Sequence, residues 1–244
     1  MSAPSALGDP TSVEYSNEMA NTSPVTPIPS ATVILLRDGE SSLEALLLRR
    51  NSKIAFHGGA WVFPGGRIDP EDHPPGKEDM FAAARQAAVR ESYEEAGLTL
   101  EPEELIWISH WTTPEGRPER YSTWFFMAAA KNEAVRIDGD EIHDHRWLRP
   151  DHALAAQRTG EIELPPPTFV TLTKLAEHPS TVSALSHFSS RQAEIFVPRY
   201  KPVPGGVCSL YEEDSGYPTV DIDSQGRRHR LWMIKDGWRY ERTA

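Results

Sequence analysis

Cysteine occurs once, at position 208, so no disulfide can close within the chain. A reducing, cytosolic compartment is the resulting expectation, and Cys208 itself reads as a small, semi-buried apolar residue. No apolar run approaches the roughly 20 residues that span a bilayer. The N-terminus has neither the basic n-region nor the apolar h-region of a secretory signal. Basic residues are in the minority, 25 Lys and Arg against 36 Asp and Glu, for a formal net charge of −11. That balance excludes broad binding to nucleic acid or to anionic membranes, both of which want a basic surface. It leaves room for an anionic small molecule, provided cations and a few local Arg or Lys neutralise it.

What is present suffices for a packed core: 244 residues, 39% hydrophobic and 9% aromatic. That is one substantial domain plus an appendage. Residues 1–28 are rich in Ser, Pro, Thr and Asn and read as a flexible tail. The main domain is expected over 29–190. It opens with two β-type runs, "ATVILLRD" and "LEALLLRR", separated by "GESS", and a third short strand, "AWVFPGG", that ends in a Pro-Gly-Gly turn. A helix is expected from Met80 to Ala96, stopped by Gly97. Strands are expected at 104–110, 122–130 and 143–148, with helices after Arg149, after Pro165 and at 181–188. Prolines and glycines mark 191–206 as a linker, and 207–244 reads as a small β appendage built on "VCSLY", "TVDID" and "HRLWMIKDGWRYER". That appendage either covers the core or mediates a homodimer. The element order predicts a mixed α/β sandwich rather than a parallel doubly wound sheet.

One stretch concentrates like charge. "RESYEEAGL", 90–98, places Glu91, Glu94 and Glu95 on the last turns of the expected helix. At about 100° per residue all three carboxylates share one face, with Val89, Tyr93 and Ala96 opposite and Ala84 and Ala87 beneath the carboxylates, leaving space above that face. Like charges at i,i+3 and i,i+4 repel, and a helix C-terminus disfavours anions. A divalent cation reverses the sign, since hard ions such as Mg²⁺ take carboxylate oxygens, water and phosphate oxygens. A solvated acidic face is the plainer alternative.

Upstream, "FPGGRID" ends a strand. Together the two stretches resemble the box of the Nudix hydrolase family, G-x5-E-x7-R-E-U-x-E-E-x-G-U, where U is a bulky aliphatic. Arg90, Glu91, Glu94, Glu95, Gly97 and Leu98 match its second half in register, and Gly65-Gly66 match its opening. Gly66 and Arg90 lie 24 positions apart where the pattern spans 14, an insertion of about ten residues. Counted back from Arg90, the first box glutamate falls on Ala82, and Glu78 or Asp79 are its expected substitutes. Ser92 replaces an aliphatic residue. The segments "LEALLLRRNSKIAFHGGAWVFPGGRIDPED" and "SHWTTPEGRPERYSTWFFMA" are similar to the branch that contains peroxisomal-type coenzyme A diphosphatases. Ser122 stands where that branch commonly has aspartate, and Asn51 and Ala55 depart from its coenzyme A signature.

The resemblance implies a Nudix-type α/β/α sandwich and hydrolysis of a nucleoside diphosphate linked to another moiety. It implies Mg²⁺ or Mn²⁺ held by Glu91, Glu95 and the Gly65 carbonyl, with Glu94 on a further ion or its waters. Arg90 is expected to orient the carboxylates, or else to form a surface pair with Glu94. Glu141, in "DGDEIHDHRWL", is the candidate general base, with an ordinary loop acid as the alternative. Arg50, Lys53, Arg67 and Arg120 are candidate phosphate contacts. Trp61, Trp111 and Trp124 are expected in the core rather than stacked on an adenine, and His143 and His145 on a half-exposed strand face. Coenzyme A or its thioesters are the favoured substrates. ADP-ribose, a dinucleotide or another nucleotide sugar is the alternative, and a non-catalytic nucleotide-binding module the second. The terminal "RTA" lacks a peroxisomal tripeptide, which again favours a cytoplasmic location.

Overall fold

The computed structural model describes residues 25–40, 42–53, 58–131 and 133–243. Most of the expected tail, 1–24, lies outside the described residues. Strand β1 (Ile28–Asp38) and β2 (Leu43–Arg50) form the expected antiparallel pair. β3 (Trp61–Val62) follows, then β4 (Gly65–Arg67), a strand too glycine-rich to announce itself in the sequence. Helix α1 spans Met80–Ala96, as expected, with the Asp79 carboxylate accepting from the Ala82 amide at 3.0 Å as its N-cap. Gly97 closes it at φ 68°, where an added Cβ would press on Arg136 Cβ at 3.1 Å. β5 (Ile106–Thr112), β6 (Tyr121–Ala129) and β7 (Ile142–Leu148) come next. Three helices follow, α2 (Pro150–Arg158), α3 (Pro166–Leu175) and α4 (Thr181–Ser189).

The main sheet runs β3-β2-β1-β6-β5-β8, with β4 on β1 and β7 on β2, where β8 is Glu194–Phe196. β1–β6 and β5–β8 are parallel and the other pairs antiparallel, so the sheet is mixed as expected. Its central strands are apolar on both faces because both are covered. Ala31, Val33, Leu35, Leu46, Leu48, Phe126 and Ala128 meet Ala84, Ala87 and Ala88 of α1 on one side. Ile34, Leu36, Leu47 and Met127 meet Phe169, Leu172 and Leu175 of α3 and Ala184 and Phe188 of α4 on the other. The result is a helix–sheet–helix sandwich.

The C-terminal part departs from expectation in two ways. The stretch 191–206 is not only a connection: β8 extends the main sheet, and β9 (Arg199–Val203) opens a second, four-stranded antiparallel sheet ordered β12-β11-β10-β9. The other strands are β10 (Gly206–Leu210), β11 (His229–Ile234) and β12 (Gly237–Arg242). "TVDID" is no strand but a run of turns, with Val220 at φ 54°, a left-handed conformation that an extended β-branched residue cannot hold. Nor does the second sheet stand apart. Tyr211 and Leu231 belong to the same apolar cluster as α3, and the Trp111 and Phe196 rings stack at 3.9 Å with Tyr211 edge-on to both. Among the described residues, no helix is long and apolar enough to cross a membrane.

Candidate active site

Helix α1 carries its acids inward. Ala83, Ala84, Ala87 and Ala88 are fully buried while Tyr93 is 64% exposed, so the face shared by Glu91 and Glu95 is the one laid on the sheet. The sequence suggested open space above that face; instead short alanine side chains let the helix approach the strands, and the carboxylates are carried in with it. Glu95 is only 5% exposed, and its Oε2 accepts the Gly65 amide at 2.9 Å. Beside it, a Cβ on Gly66 would fall 2.3 Å from Glu91 Oε1, so the backbone lies directly against that carboxylate. A Cβ on Gly65 would meet the Ala31 carbonyl oxygen at 2.4 Å. The glycine pair is what lets β4 fit between β1 and the acids.

Burial pushes the Glu95 carboxyl up to about 8, opposed by the Gly65 N–H and helped by the negative charge of Glu91, with Arg50 lowering it and Glu141 raising it in turn. Burial likewise raises Glu91; the Arg90 guanidinium works against the shift, while Glu94 and Glu141 add to it. Strand, helix and loop thus bring Glu91, Arg50 and Glu141 within electrostatic reach of Glu95. Glu94 is the outlying member, its side chain 54% exposed and held by Arg90.

Arg90 is a hub rather than a surface pair. Its Nη1 donates to Glu91 Oε1 and Glu94 Oε2, each at 2.9 Å. Its Nη2 donates to the Arg67 carbonyl at 3.0 Å and to Asp72 Oδ2 at 2.9 Å, and its Nε to Asp72 Oδ1 at 3.1 Å. That fork raises its pKa, chiefly through Asp72, and locks the guanidinium plane. Asp72 is 4% exposed and is the residue that the sequence reading missed. Counted forward from Gly66, it occupies the position of the first box glutamate; counted back from Arg90, that position is Ala82, because the insertion falls between them. Neither expected substitute is used there: Asp79 caps α1, and Glu78 is exposed.

The remaining candidates divide. Arg50 is half-buried, and its Nε is buried with no hydrogen-bond partner among the described residues, so it has capacity to spare beside Glu95. Lys53 is exposed at the start of the β2–β3 connection, whose residues 54–57, including Ala55, lie outside the described ones. Arg67 is exposed and paired with Glu119 at 3.0 Å. Arg120 corrects the expectation of a phosphate contact. It is 9% exposed and donates to the carbonyls of Thr113 and Val25, pinning the start of β1 to the β5–β6 connection. Trp61 and Trp111 are core residues, and Trp124 is half-buried against His110 at 4.4 Å. His143 is exposed and His145 half-buried, with no shared ligand geometry.

As the side chains stand, no three His, Cys, Asp or Glu groups among the described residues form a ready metal cage. The donor chemistry nonetheless fits a hard cation: a buried and a half-buried carboxylate, Glu95 and Glu91, with Glu94 and Glu141 nearby, an excess of negative charge that disfavours ionisation until something positive offsets it.

Comparison with known proteins places this geometry in context. The NUDIX domain family model matches residues 26–166. Acyl-coenzyme A diphosphatase NUDT19 of Gallus gallus is 25% identical, over 81% of this chain and 78% of that one. Peroxisomal coenzyme A diphosphatase ndx-8 of Caenorhabditis elegans is 35% identical over a shorter stretch, 30% of this chain and 28% of that one. Across the first curated relatives the chain spans 57%, 78% and 82% of their lengths. A crystal structure of a NUDIX hydrolase from Alicyclobacillus acidocaldarius superposes with a TM-score of 0.60 at 25% identity, over 69% of this chain and 99% of that one.

Proposed function

The chain belongs to the Nudix family, and from that premise we propose that it is a divalent-cation-dependent pyrophosphohydrolase acting on coenzyme A or acyl-coenzyme A. The observation that carries the reading is the pair of carboxylates, buried Glu95 and half-buried Glu91, set against the Gly65-Gly66 backbone with Arg50 and Glu141 beside them. The coenzyme A substrate is supported by the similarity to coenzyme A and acyl-coenzyme A diphosphatases.

Glu91, Glu95 and the Gly65 carbonyl would hold Mg²⁺ or Mn²⁺, with Glu94 toward a further ion or its waters. When bound, such ions neutralise a pyrophosphate and acidify water. The chain's own part is positional and electrostatic. Arg90 fixes the carboxylates of Glu91 and Glu94 while Asp72 fixes Arg90. Arg50 offers its half-buried guanidinium to the phosphate oxygens, with Lys53 and Arg67 as outer cations. Glu141 accepts the proton of the attacking water. With coenzyme A the products are adenosine 3',5'-bisphosphate and phosphopantetheine, or its acylated form from an acyl-coenzyme A.

The non-catalytic reading leaned on the missing first box glutamate and loses that support, since Asp72 offers a carboxylate to Arg90 from the matching position. A panel of coenzyme A, acetyl-coenzyme A, ADP-ribose, NADH and diadenosine polyphosphates, with Mg²⁺, Mn²⁺ or chelator, tests the proposal. Cation-dependent release of adenosine 3',5'-bisphosphate and phosphopantetheine from coenzyme A is expected. Intact coenzyme A alongside cleaved ADP-ribose would replace the substrate assignment. Ligand binding without product under every condition would replace the enzyme.

A further inference from the structure

The pairing of β2 with β7 carries a feature that neither the box nor its substrate contacts require. The two strands pair in register up to Arg49 opposite Asp144, and then Arg50 faces Ile142, stepping over His143. Such a bulge bends the strand and re-aims the residues beyond it. Those residues are Arg50 at the end of β2 and Glu141 just before β7. Past the bulge the two strands stay joined through a single residue. The Asn51 amide donates to the Glu141 carbonyl at 2.7 Å, and Asn51 Nδ2 donates to the Asp140 carbonyl at 2.9 Å. Asn51 Oδ1 accepts the Lys53 amide at 3.0 Å, so both ends of the side-chain amide are used and its orientation is set.

From the other side, the Asp138 carboxylate accepts the amides of Glu141 and Ile142 at 2.9 and 3.0 Å, and Gly139 turns the chain at φ 83°. The backbone of Glu141 is therefore held at its N–H by Asp138 and at its C=O by Asn51. Its side chain is exposed, yet its charge reaches both Glu91 and Glu95. An exposed loop acid has no packing to locate it. A backbone clamp does that work instead.

We propose that Asn51 is a positioning residue that holds Glu141 at the carboxylate cluster and ties the β2–β3 connection to it. The kinetic part of this inference rests on Glu141 acting as the base; the tether itself does not.

Hydrogen–deuterium exchange on the full chain is the first test. In Asn51→Ala the amides of 138–142 should exchange about tenfold faster than in the wild type, while those of α1 stay unchanged. Unchanged exchange overturns the proposal. Asn51→Asp keeps an acceptor for Lys53 but sets a carboxylate oxygen against the Asp140 carbonyl, so it should loosen the loop like the alanine variant; wild-type exchange there overturns the role of the side-chain amide. In turnover, Asn51→Ala should lower kcat about tenfold with KM within about twofold, part of what a general base supplies. Placed on Glu141→Gln, the same change should cost nothing further, whereas full additivity overturns positioning. Should the wild type cleave no diphosphate, the functional reading falls alone, and the exchange measurement still decides the tether.

Discussion

Glu95 is a carboxylate taken almost entirely out of water and left with one backbone N–H and a distant guanidinium to offset it. On the proposed reading, that group is needed in its negative form at the moment of reaction. Glu95→Gln should lower kcat by about 10²-fold or more while circular dichroism stays as in the wild type, and wild-type turnover in that variant would remove the cluster from the chemistry. Asp72 acts one step further out. Asp72→Ala strips Arg90 of its two-point partner and should destabilise the protein by about 1–3 kcal/mol in urea titration, with activity falling as the carboxylates lose their anchor. Arg90, Glu91, Glu94 and Glu95 were legible because they sit within one helix, where spacing alone sets the face. Asp72 was not, because 17 residues intervene between it and Arg90 and the count back from Arg90 lands on Ala82; only the count forward from Gly66, on the near side of the insertion, reaches it. Arg120 was misread for a similar reason: a guanidinium's partners are chosen by tertiary neighbours, here backbone carbonyls.

At the level of elements, the alanine run of α1 and the glycine pair of β4 act together to bring helix and strand close enough for Glu95 to reach the Gly65 amide. Gly66→Ala would drive a methyl group into Glu91. We expect it to cost about tenfold or more in kcat, with KM less affected, because the displaced group is a carboxylate and not a substrate contact. The second sheet has its own buried polar knot. Arg230 and Asp214 pair at 2.7 Å with side chains only 2% and 0% exposed, and Asp214 also accepts the amides of His229 and Gly216. Next to it His229 is pushed down to about 3 by burial, with Arg242 and Lys174 adding to the shift against Glu194 and Asp214. Since the unfolded imidazole protonates near its ordinary 6.5, stability from keeping His229 neutral is present above that pH and is lost as pH falls toward 3. Urea midpoints of the wild type should drop more between pH 7 and pH 4.5 than those of His229→Gln; equal drops would show that another group sets the acid limb. The strands of this sheet were legible from their apolar runs, but β9 was hidden by its prolines and "TVDID" imitated a strand that the turn at Val220 forbids.

For the molecule as a whole, the apolar cluster beneath the main sheet runs without a break from Ile34 through Phe169 to Tyr211 and Leu231. Both sheets should therefore unfold in one transition, with circular dichroism and tryptophan fluorescence coincident in urea. Phe196→Ala, which empties the stack against Trp111 and Tyr211, should cost about 3–5 kcal/mol and move that single transition. Two separate transitions would show that the second sheet folds apart from the core it covers. By itself the sequence determined what is local: strand and helix periods, the glycine that stops α1, the acidic face, and through the box motif the family. Tertiary structure alone decided what depends on approach between distant segments. It turned the acidic face inward onto the strands, gave Asp72 to Arg90, brought Glu141 within reach of Glu95, and merged the C-terminal strands into the shared core. The physical reason is that periodicity and capping act over a few residues, whereas burial, desolvation and hydrogen-bond partnership belong to whichever surfaces the fold brings together.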